Sequence, residues 1–358
     1  MYIKRLYLHH FRNYSETEVS FSPGVNWITG KNGQGKTNLL EALYLLSTGR
    51  SFRTHQLSQL IQTDSPFFYL EAEIESEGVR QTLKVSFDGE IKKVHYNATV
   101  YSYFAPLLGL LPHVMYAPED TALIGGAPAF RRKVIDLHLA QIDPLYLHHL
   151  ARYHKAMRQR NELLKKKIEE AIEPWEMSMA QSGSYLMKKR EELIQQLQKP
   201  LYEKMLEISS GIDHLGIKYE SSLPLADPES LLMHWQKNRK KEFHIGTTLY
   251  GPHRDDLIFS IDHLSAKSFA SVGQQHSIIA ALRLCQWSHL QSQTRRLPFF
   301  SVDDFGAHLD ESRQRMFQEK LSSLGQIFLT SPAAHYGIFP NKQMIHIDSG
   351  KVLEIGSA

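Results

Sequence analysis

The stretch Gly30-Lys31-Asn32-Gly33-Gln34-Gly35-Lys36-Thr37 brings together the residue types that hold the phosphates of a nucleoside triphosphate. It fits the pattern G-x-x-x-x-G-K-[ST] at every fixed position. Glycines let backbone N–H groups point inward with no side chain in the way, and a following helix adds the partial positive charge of its N-terminus. Lys36 is placed to reach the β- and γ-phosphates, the Thr37 hydroxyl to hold Mg²⁺, and Asn38 to continue the cradle into the helix. A second chemical pair is Asp303-Asp304, delivered at the end of the apolar run Leu297-Pro298-Phe299-Phe300-Ser301-Val302. In a nucleotide hydrolase with this phosphate loop, the first acid binds Mg²⁺ through its water shell and the second orients the attacking water. A third is Ser271-Val272-Gly273-Gln274-Gln275, whose composition suits an anion-binding helix start and equally an ordinary N-cap.

These groups need a scaffold. Val25 to Thr29 reads as a short buried strand and Asn38 to Leu46 as an amphipathic helix, which is the strand–turn–helix context the phosphate loop requires. Tyr2 to Leu8 and Glu16 to Phe21 alternate as strands, and Ser22-Pro23-Gly24 turns the chain toward the loop. Phe67 to Glu75, Gly78 to Phe87 and Ile91 to Tyr96 read as antiparallel strands, with Asp88-Gly89 as a hairpin turn. His113 to Ala117 is a short strand that stops at Pro118-Glu119-Asp120. The character then becomes helical: Ala129 to Gln141, Pro144 to about Ala171, a break at Pro174, and Met177 to Gln198 with Pro200 as its limit. Strand is expected again from Thr247 through Pro252 and over Asp256 to Ile261. Phe269 to Trp287 should be a loop and helix, Arg313 to Leu324 a helix, and Gln326 to Leu329 and Gln343 to Ile347 closing strands. The expected organisation is an α/β domain over 1–118, a helical insertion with the Ser271 motif over 119–296, and a return to the first domain over 297–358.

Composition sets the class. The chain has 358 residues, 42% hydrophobic and 22% charged, as an ordinary globular protein does. A net charge of +3 is too small to argue for nucleic acid by itself, so any such claim depends on where the charge sits. The one cysteine, Cys285, excludes an intramolecular disulfide and is expected in the core. The N-terminal residues do not read as a signal peptide and no apolar run has membrane-spanning length, so a cytoplasmic location is expected. Nineteen histidines form no metal-ligand spacing. His253-Arg254-Asp255 mimics a kinase catalytic loop but lacks its downstream Asn.

Phosphate loop, then S-x-G-Q-Q, then the paired Asp, then Leu309-Asp310: this order resembles the ATP-binding cassette (ABC) ATPase heads. The closer resemblance is to the RecF family, the bacterial recombination-repair relatives of the SMC heads. It is carried by Leu8 to Tyr14, Gly30 to Leu40, Gly49 to Thr54, Ala117 to Asp120, Arg131-Arg132, Tyr250 to Asp256, Phe269 to Gln275 and Asp303-Asp304. It implies an ABC-type head with mixed and antiparallel sheets in lobe I and an inserted helical lobe II. It further implies a dimer that sandwiches ATP, with Lys36, Thr37 and Asp303 of one subunit holding nucleotide and Mg²⁺. Ser271, Gly273 and Gln274 of the other subunit would meet the γ-phosphate, Asp304 would position the water, and Glu119 would fall in the Q-loop region. Such a dimer would be a DNA clamp of weak ATPase activity, set on duplex near single-strand gaps and helping RecR and RecO load RecA. Two departures stand out: Ala307-His308-Leu309-Asp310 where the family usually has S-E-L-D, and His276 where a basic Arg or Lys usually follows Gln-Gln.

Three basic clusters are candidates for DNA phosphate contacts: Arg131, Arg132 and Lys133; Arg152, Lys155, Arg158, Arg160 and Lys165 to Lys167; and Lys237, Arg239, Lys240 and Lys241. Each would otherwise be a solvated helix face. The rival function is a nucleotide-gated interaction module that recruits proteins without touching DNA. A transporter ATPase fits less well, because transporters usually carry Asp-Glu where this chain has Asp303-Asp304.

Overall fold

The computed structural model describes residues 1–358 except 225–226, 307–308, 333–338, 340–341 and 358. Contacts divide it into two compact units, 1–120 with 276–358, and 121–275.

Alternation at the N-terminus builds the first sheet. In β1 (Tyr2–Phe11), Ile3, Leu6, Leu8 and Phe11 are buried, and a register shift between Ile3 and Arg5 brings the early part of the strand into phase. β2 (Tyr14–Ser20) pairs back on it antiparallel. β3 (Val25–Thr29) is buried at every position and leads through the phosphate loop into α1 (Lys36–Thr48). β4 (Phe68–Ser76), β5 (Val79–Phe87), β6 (Lys92–Tyr96) and β7 (Thr99–Tyr101) complete an antiparallel sheet ordered β2-β1-β4-β5-β6-β7. β8 (His113–Tyr116) belongs to a second sheet.

The chain then runs through α2 (Ala122–Gly125), α3 (Pro128–Ile142), α4 (Pro144–Lys166) and α5 (Glu173–Ile208). β9 (Leu215–Glu220), α6 (Pro228–Ile245), β10 (Asp256–Ile261), β11 (Leu264–Ser265) and α7 (Ala266–Phe269) follow. The three strands form a small antiparallel sheet, β11-β10-β9. α8 (Val272–Thr294) carries the division between the units, which falls after Gln275. The contacts thus place residues 276–296 with the phosphate-loop unit, earlier in the chain than the change of composition at 297. The return is β12 (Phe299–Val302), α9 (Glu311–Ser322), β13 (Ile327–Ser331), β14 (Gln343–Asp348) and β15 (Lys351–Ser357). The second sheet has the order β15-β14-β3-β13-β12-β8. All its pairings are parallel except β14–β15, and every position of its strands β3, β13, β12 and β8 is buried, as in a sheet covered on both faces.

Several local expectations change. Pro200 lies inside α5, which runs on to Ile208. The buried stripe Leu193, Leu197, Leu201, Met205 and Ile208 holds the helix through the one backbone bond that proline removes. Pro174 sits in the first turn of that helix, where its missing N–H costs nothing. α4 ends at Lys166, five residues short of Ala171, because Lys167 takes a left-handed φ of 56°. Residues 247–252 are not strand: they form the loop that leads into β10.

Candidate functional site

The phosphate loop is shaped by close backbone contacts that only glycine tolerates at two points. Gly30 has φ 145°, and a Cβ there would lie 2.2 Å from the Ile347 carbonyl oxygen. Gly35, the N-cap of α1, has φ 119°, and a Cβ there would meet the Asn13 side chain at 2.8 Å. From outside, the β1–β2 turn braces the loop. Asn13 Nδ2 donates to the Gln34 carbonyl at 2.8 Å, the Tyr14 hydroxyl donates to the Gly35 carbonyl at 2.9 Å, and Asn38 Nδ2 donates to Asn13 Oδ1 at 2.8 Å. The Gly350 N–H donates to the Gln34 carbonyl at 3.0 Å and the Ser349 N–H to Gln34 Oε1 at 2.6 Å. Arg12 grips the buried Glu41 of α1 through two bonds of 2.8 Å, and Arg53 donates to Asn38 Oδ1 at 2.9 Å. No side chain caps the start of α1, so its first-turn N–H groups face the loop in the manner of an anion cradle.

Lys36 is 5% exposed, and its ammonium donates to the carbonyls of Gly30 at 2.7 Å and Lys31 at 3.0 Å. Burial lowers its pKa, against the opposing pull of Asp304 and Asp303. The Thr37 hydroxyl donates to Asp303 Oδ1 at 2.9 Å. A hydroxyl and a carboxylate 266 residues apart in sequence are thus a hydrogen bond apart in space. Hard oxygen donors of this kind suit Mg²⁺. Burial raises the Asp303 pKa, while hydrogen bonds from Thr330 and Thr37 pull it back down. Asp304 takes φ 52°, a strained setting for a non-glycine residue, at the end of β12.

Thr330, on β13, stands with Ser331 where a switch histidine would follow the last core strand, and it organises both acids. Its hydroxyl donates to Asp303 Oδ1 at 2.7 Å and accepts the Asp304 N–H at 2.8 Å. Glu119 is exposed in a turn of 3₁₀ helix over Pro118–Thr121, and its charge is felt at Asp303. Ala307 lies outside the described residues. His276 is buried with its Nδ1 2.9 Å from the Tyr116 hydroxyl, a core role in place of an exposed basic one.

The Ser271 motif forms a closed capping box in the other unit. The Gln274 N–H donates to Ser271 Oγ at 3.2 Å, and the Ser271 N–H donates to Gln274 Oε1 at 2.9 Å. Gln274 Nε2 also donates to the buried Asp213 at 2.8 Å. Ser271 is exposed, and so are its neighbours Phe269, at 67%, and Val272, at 60%. Nothing lies within 4 Å of where a Gly273 Cβ would be.

The basic clusters separate sharply. Arg131 is 4% exposed, its guanidinium held by both oxygens of Asp256 and by the carbonyls of Leu123 and Gly126. Arg160 is fully buried between Glu176, Glu242 and Thr248. Both are buried with the guanidinium turned to protein acceptors, which removes both from the surface set. Arg152 is exposed but bonded to Ser178 and Gln181. Arg132 is half-buried, and Lys155 and Arg158 are exposed. Among the described residues no group of His, Cys, Asp and Glu could hold a metal ion by itself, and no helix is long and apolar enough to cross a membrane.

Residues 2–338 match the family model described as RecF/RecN/SMC N terminal domain. The chain is 42% identical over 358 residues to the DNA replication and repair protein RecF of Protochlamydia amoebophila, covering 98% of both chains. It is 34% identical to the RecF of Ligilactobacillus salivarius, over 100% of this chain and 98% of that one. A solved structure described as the recombination mediator protein RecF with ATP, of the RecFOR pathway, superposes with a TM-score of 0.90 at 28% identity, covering 100% of this chain and 97% of that one. An SMC head bound to the C-terminal winged-helix domain of ScpA shares the fold, with a TM-score of 0.57 at 14% identity, covering 100% of this chain and 98% of that one.

Proposed function

The chain belongs to the RecF family of DNA replication and repair proteins, with the fold of an ABC/SMC-type ATPase head, and from that premise we propose that it is an ATP-dependent clamp on duplex DNA. The observation that carries the reading is the 2.9 Å contact between Thr37 and Asp303 at the uncapped start of α1. The backbone from Gly30 to Thr37 and Asn38 holds the phosphates of ATP, and Lys36 leaves the loop carbonyls to meet them. Thr37 and Asp303 would hold Mg²⁺, which when bound would supply charge neutralisation at the phosphates. Asp304 orients the attacking water and takes up its proton.

Ser271, Gly273 and Gln274 act on the nucleotide of a second copy. The exposed Phe269 and Val272 beside Ser271 give that copy apolar surface to cover, which supports the docking of a dimer there. The nucleotide is then both substrate and dimer glue, and slow hydrolysis resets the clamp. Arg132, Arg152, Lys155 and Arg158 would meet DNA phosphates without sequence preference. On this reading the clamp works in the cytoplasm at duplex flanking single-strand gaps, with RecR and RecO as partners in loading RecA.

The test is molar mass in solution with and without Mg-ATP, for the parent chain, Lys36→Ala and Ser271→Ala. ATP should convert monomer to dimer, and both substitutions should abolish the change. A mass indifferent to ATP, although nucleotide binds, would leave Ser271 as a helix cap and the chain as a monomeric nucleotide-binding module.

A further inference from the structure

Within the helical unit, the turn Tyr250-Gly251-Pro252-His253-Arg254-Asp255-Asp256 is bonded inward at nearly every residue. Gly251 has φ 127°, and a Cβ there would lie 2.5 Å from the Tyr153 hydroxyl. The buried Arg190 donates to the Pro252 carbonyl at 2.6 Å, while its own charge is met by Asp136. His253 Nδ1 is 2.8 Å from the Tyr153 hydroxyl and its Nε2 is 3.1 Å from the Thr248 carbonyl. Asp255 accepts from the Tyr219 hydroxyl and from the Ser222 N–H, and Asp256 holds Arg131. Arg254 is the exception: it is exposed, and among the described residues its guanidinium makes a single hydrogen bond, a 3.4 Å approach to the Thr248 carbonyl.

Other cations gather beside it. Arg132 Nη1 donates to the Asp255 carbonyl at 2.6 Å, next in sequence to Arg254. The Tyr153–His253 bond brings α4 alongside, so that His154 follows Tyr153 directly, and Arg158 lies one turn on from His154 with Lys155 between them in sequence. Among the described residues, none of Arg132, His154, Lys155, Arg158 and Arg254 takes part in an ion pair. Their fields overlap. Burial first, and then Arg254 and Arg132 among others, hold His253 down to about 4. Burial, Arg190, Arg158 and Arg132 hold His154 below its ordinary value. Arg132 is itself lowered, by burial and then by Arg190, despite three carboxylates nearby. Such a group of cations without carboxylate partners, set on a hydrogen-bonded frame, suits an anion from outside.

We infer that Arg254, with Arg132, Lys155 and Arg158, grips the phosphate backbone of DNA, and that Arg254 is the fixed point of that grip. The inference rests on the reading of the chain as a DNA clamp and adds to it a site that two sequence clusters and a rejected kinase-like tripeptide do not reveal separately. Guanidinium forks match phosphate oxygens in pairs. A residue on an immobile turn loses little freedom on binding, which suits a backbone of regularly spaced charges better than a flexible acidic peptide.

The experiment is fluorescence anisotropy of a labelled gapped duplex against the full chain with Mg-ATP, at several salt concentrations. Arg254→Gln should weaken binding about tenfold and lower the slope of log affinity against log salt by about 1, and Arg254→Lys should recover part of the loss. ATP-dependent molar mass, DNA-free ATP turnover and melting temperature should not change. Should Arg254→Gln melt early, Lys155→Gln with Arg158→Gln on the exposed face of α4 tests the same site. Parent-like affinity and slope in these variants overturn the inference and leave the clamp standing, including the case in which they lose an acidic protein partner instead. A parent chain that binds no DNA at any salt overturns the clamp and the inference together.

Discussion

The two regions read here as nucleotide contacts are built in opposite ways. Around the phosphate loop, an ammonium, a hydroxyl and a buried carboxylate are drawn together by hydrogen bonds between residues far apart in sequence, and Thr330 ties both acids to the neighbouring strand. The Ser271 turn satisfies its polar groups locally, in a capping box, and shows solvent an exposed hydroxyl between two exposed apolar side chains. The first region holds its reactive groups in place within one molecule. The second is a rigid, outward-facing surface whose chemistry needs something brought to it. Under the proposed reading, that contrast is what would let one chain bind nucleotide alone and still need a second copy to act on it.

Four substitutions probe that contrast. Asp304→Asn keeps the shape of the first region but removes the carboxylate; ATP turnover should fall by about 10²- to 10⁴-fold while nucleotide binding in a filter or calorimetric assay survives. Turnover within threefold of the parent would place the catalytic base elsewhere. Thr330→Val leaves Asp303 short of a donor and the Asp304 N–H short of an acceptor, which should cost about 1–3 kcal/mol in chemical denaturation. The same change shifts the pH profile in a definite direction. Burial already raises the Asp303 pKa and Thr330 lowers it, so losing the hydroxyl raises it further and moves the acid limb of the turnover profile to higher pH. An unmoved limb would mean that Asp303 does not titrate in the working site. In the second region, Ser271→Ala should cost about 1 kcal/mol of stability as a lost helix cap, whereas Ser271→Asn should restore the cap. If Asn restores stability but not the ATP-dependent dimer, the hydroxyl is read by the partner copy; if it restores both, Ser271 is a cap and nothing more.

Much of the first region was legible because its signals are local. The phosphate loop declares its strand and helix by residue type, and the apolar run before Asp303 declares a buried strand. Thr330 was not legible, because its role depends on β13 lying beside β12, a pairing that no spacing encodes. The basic clusters misled for a related reason: composition counts charges but does not say which way they face. The helical period does say so. Arg160 falls in line with Tyr153, Ala156 and Leu164, the buried stripe of α4, and Arg131 lies four residues before the buried Ile135 on α3. An arginine on an apolar stripe is a core residue awaiting carboxylates, and Glu176, Glu242 and Asp256 supply them. Pro200 was misread because a proline that ends an isolated helix is carried by a long buried stripe on either side of it.

The bracing of the phosphate loop by Ser349 and Gly350 also bears on how the protein is made. β3 lies between β13 and β14, and Gln34 is held by a turn more than three hundred residues later in the chain. On the ribosome, the loop emerges more than 260 residues before Asp303 and the strands that flank it. A nascent chain stalled before residue 300 should therefore fail to retain nucleotide, and the ATP site becomes a late checkpoint of synthesis that an incomplete copy cannot pass.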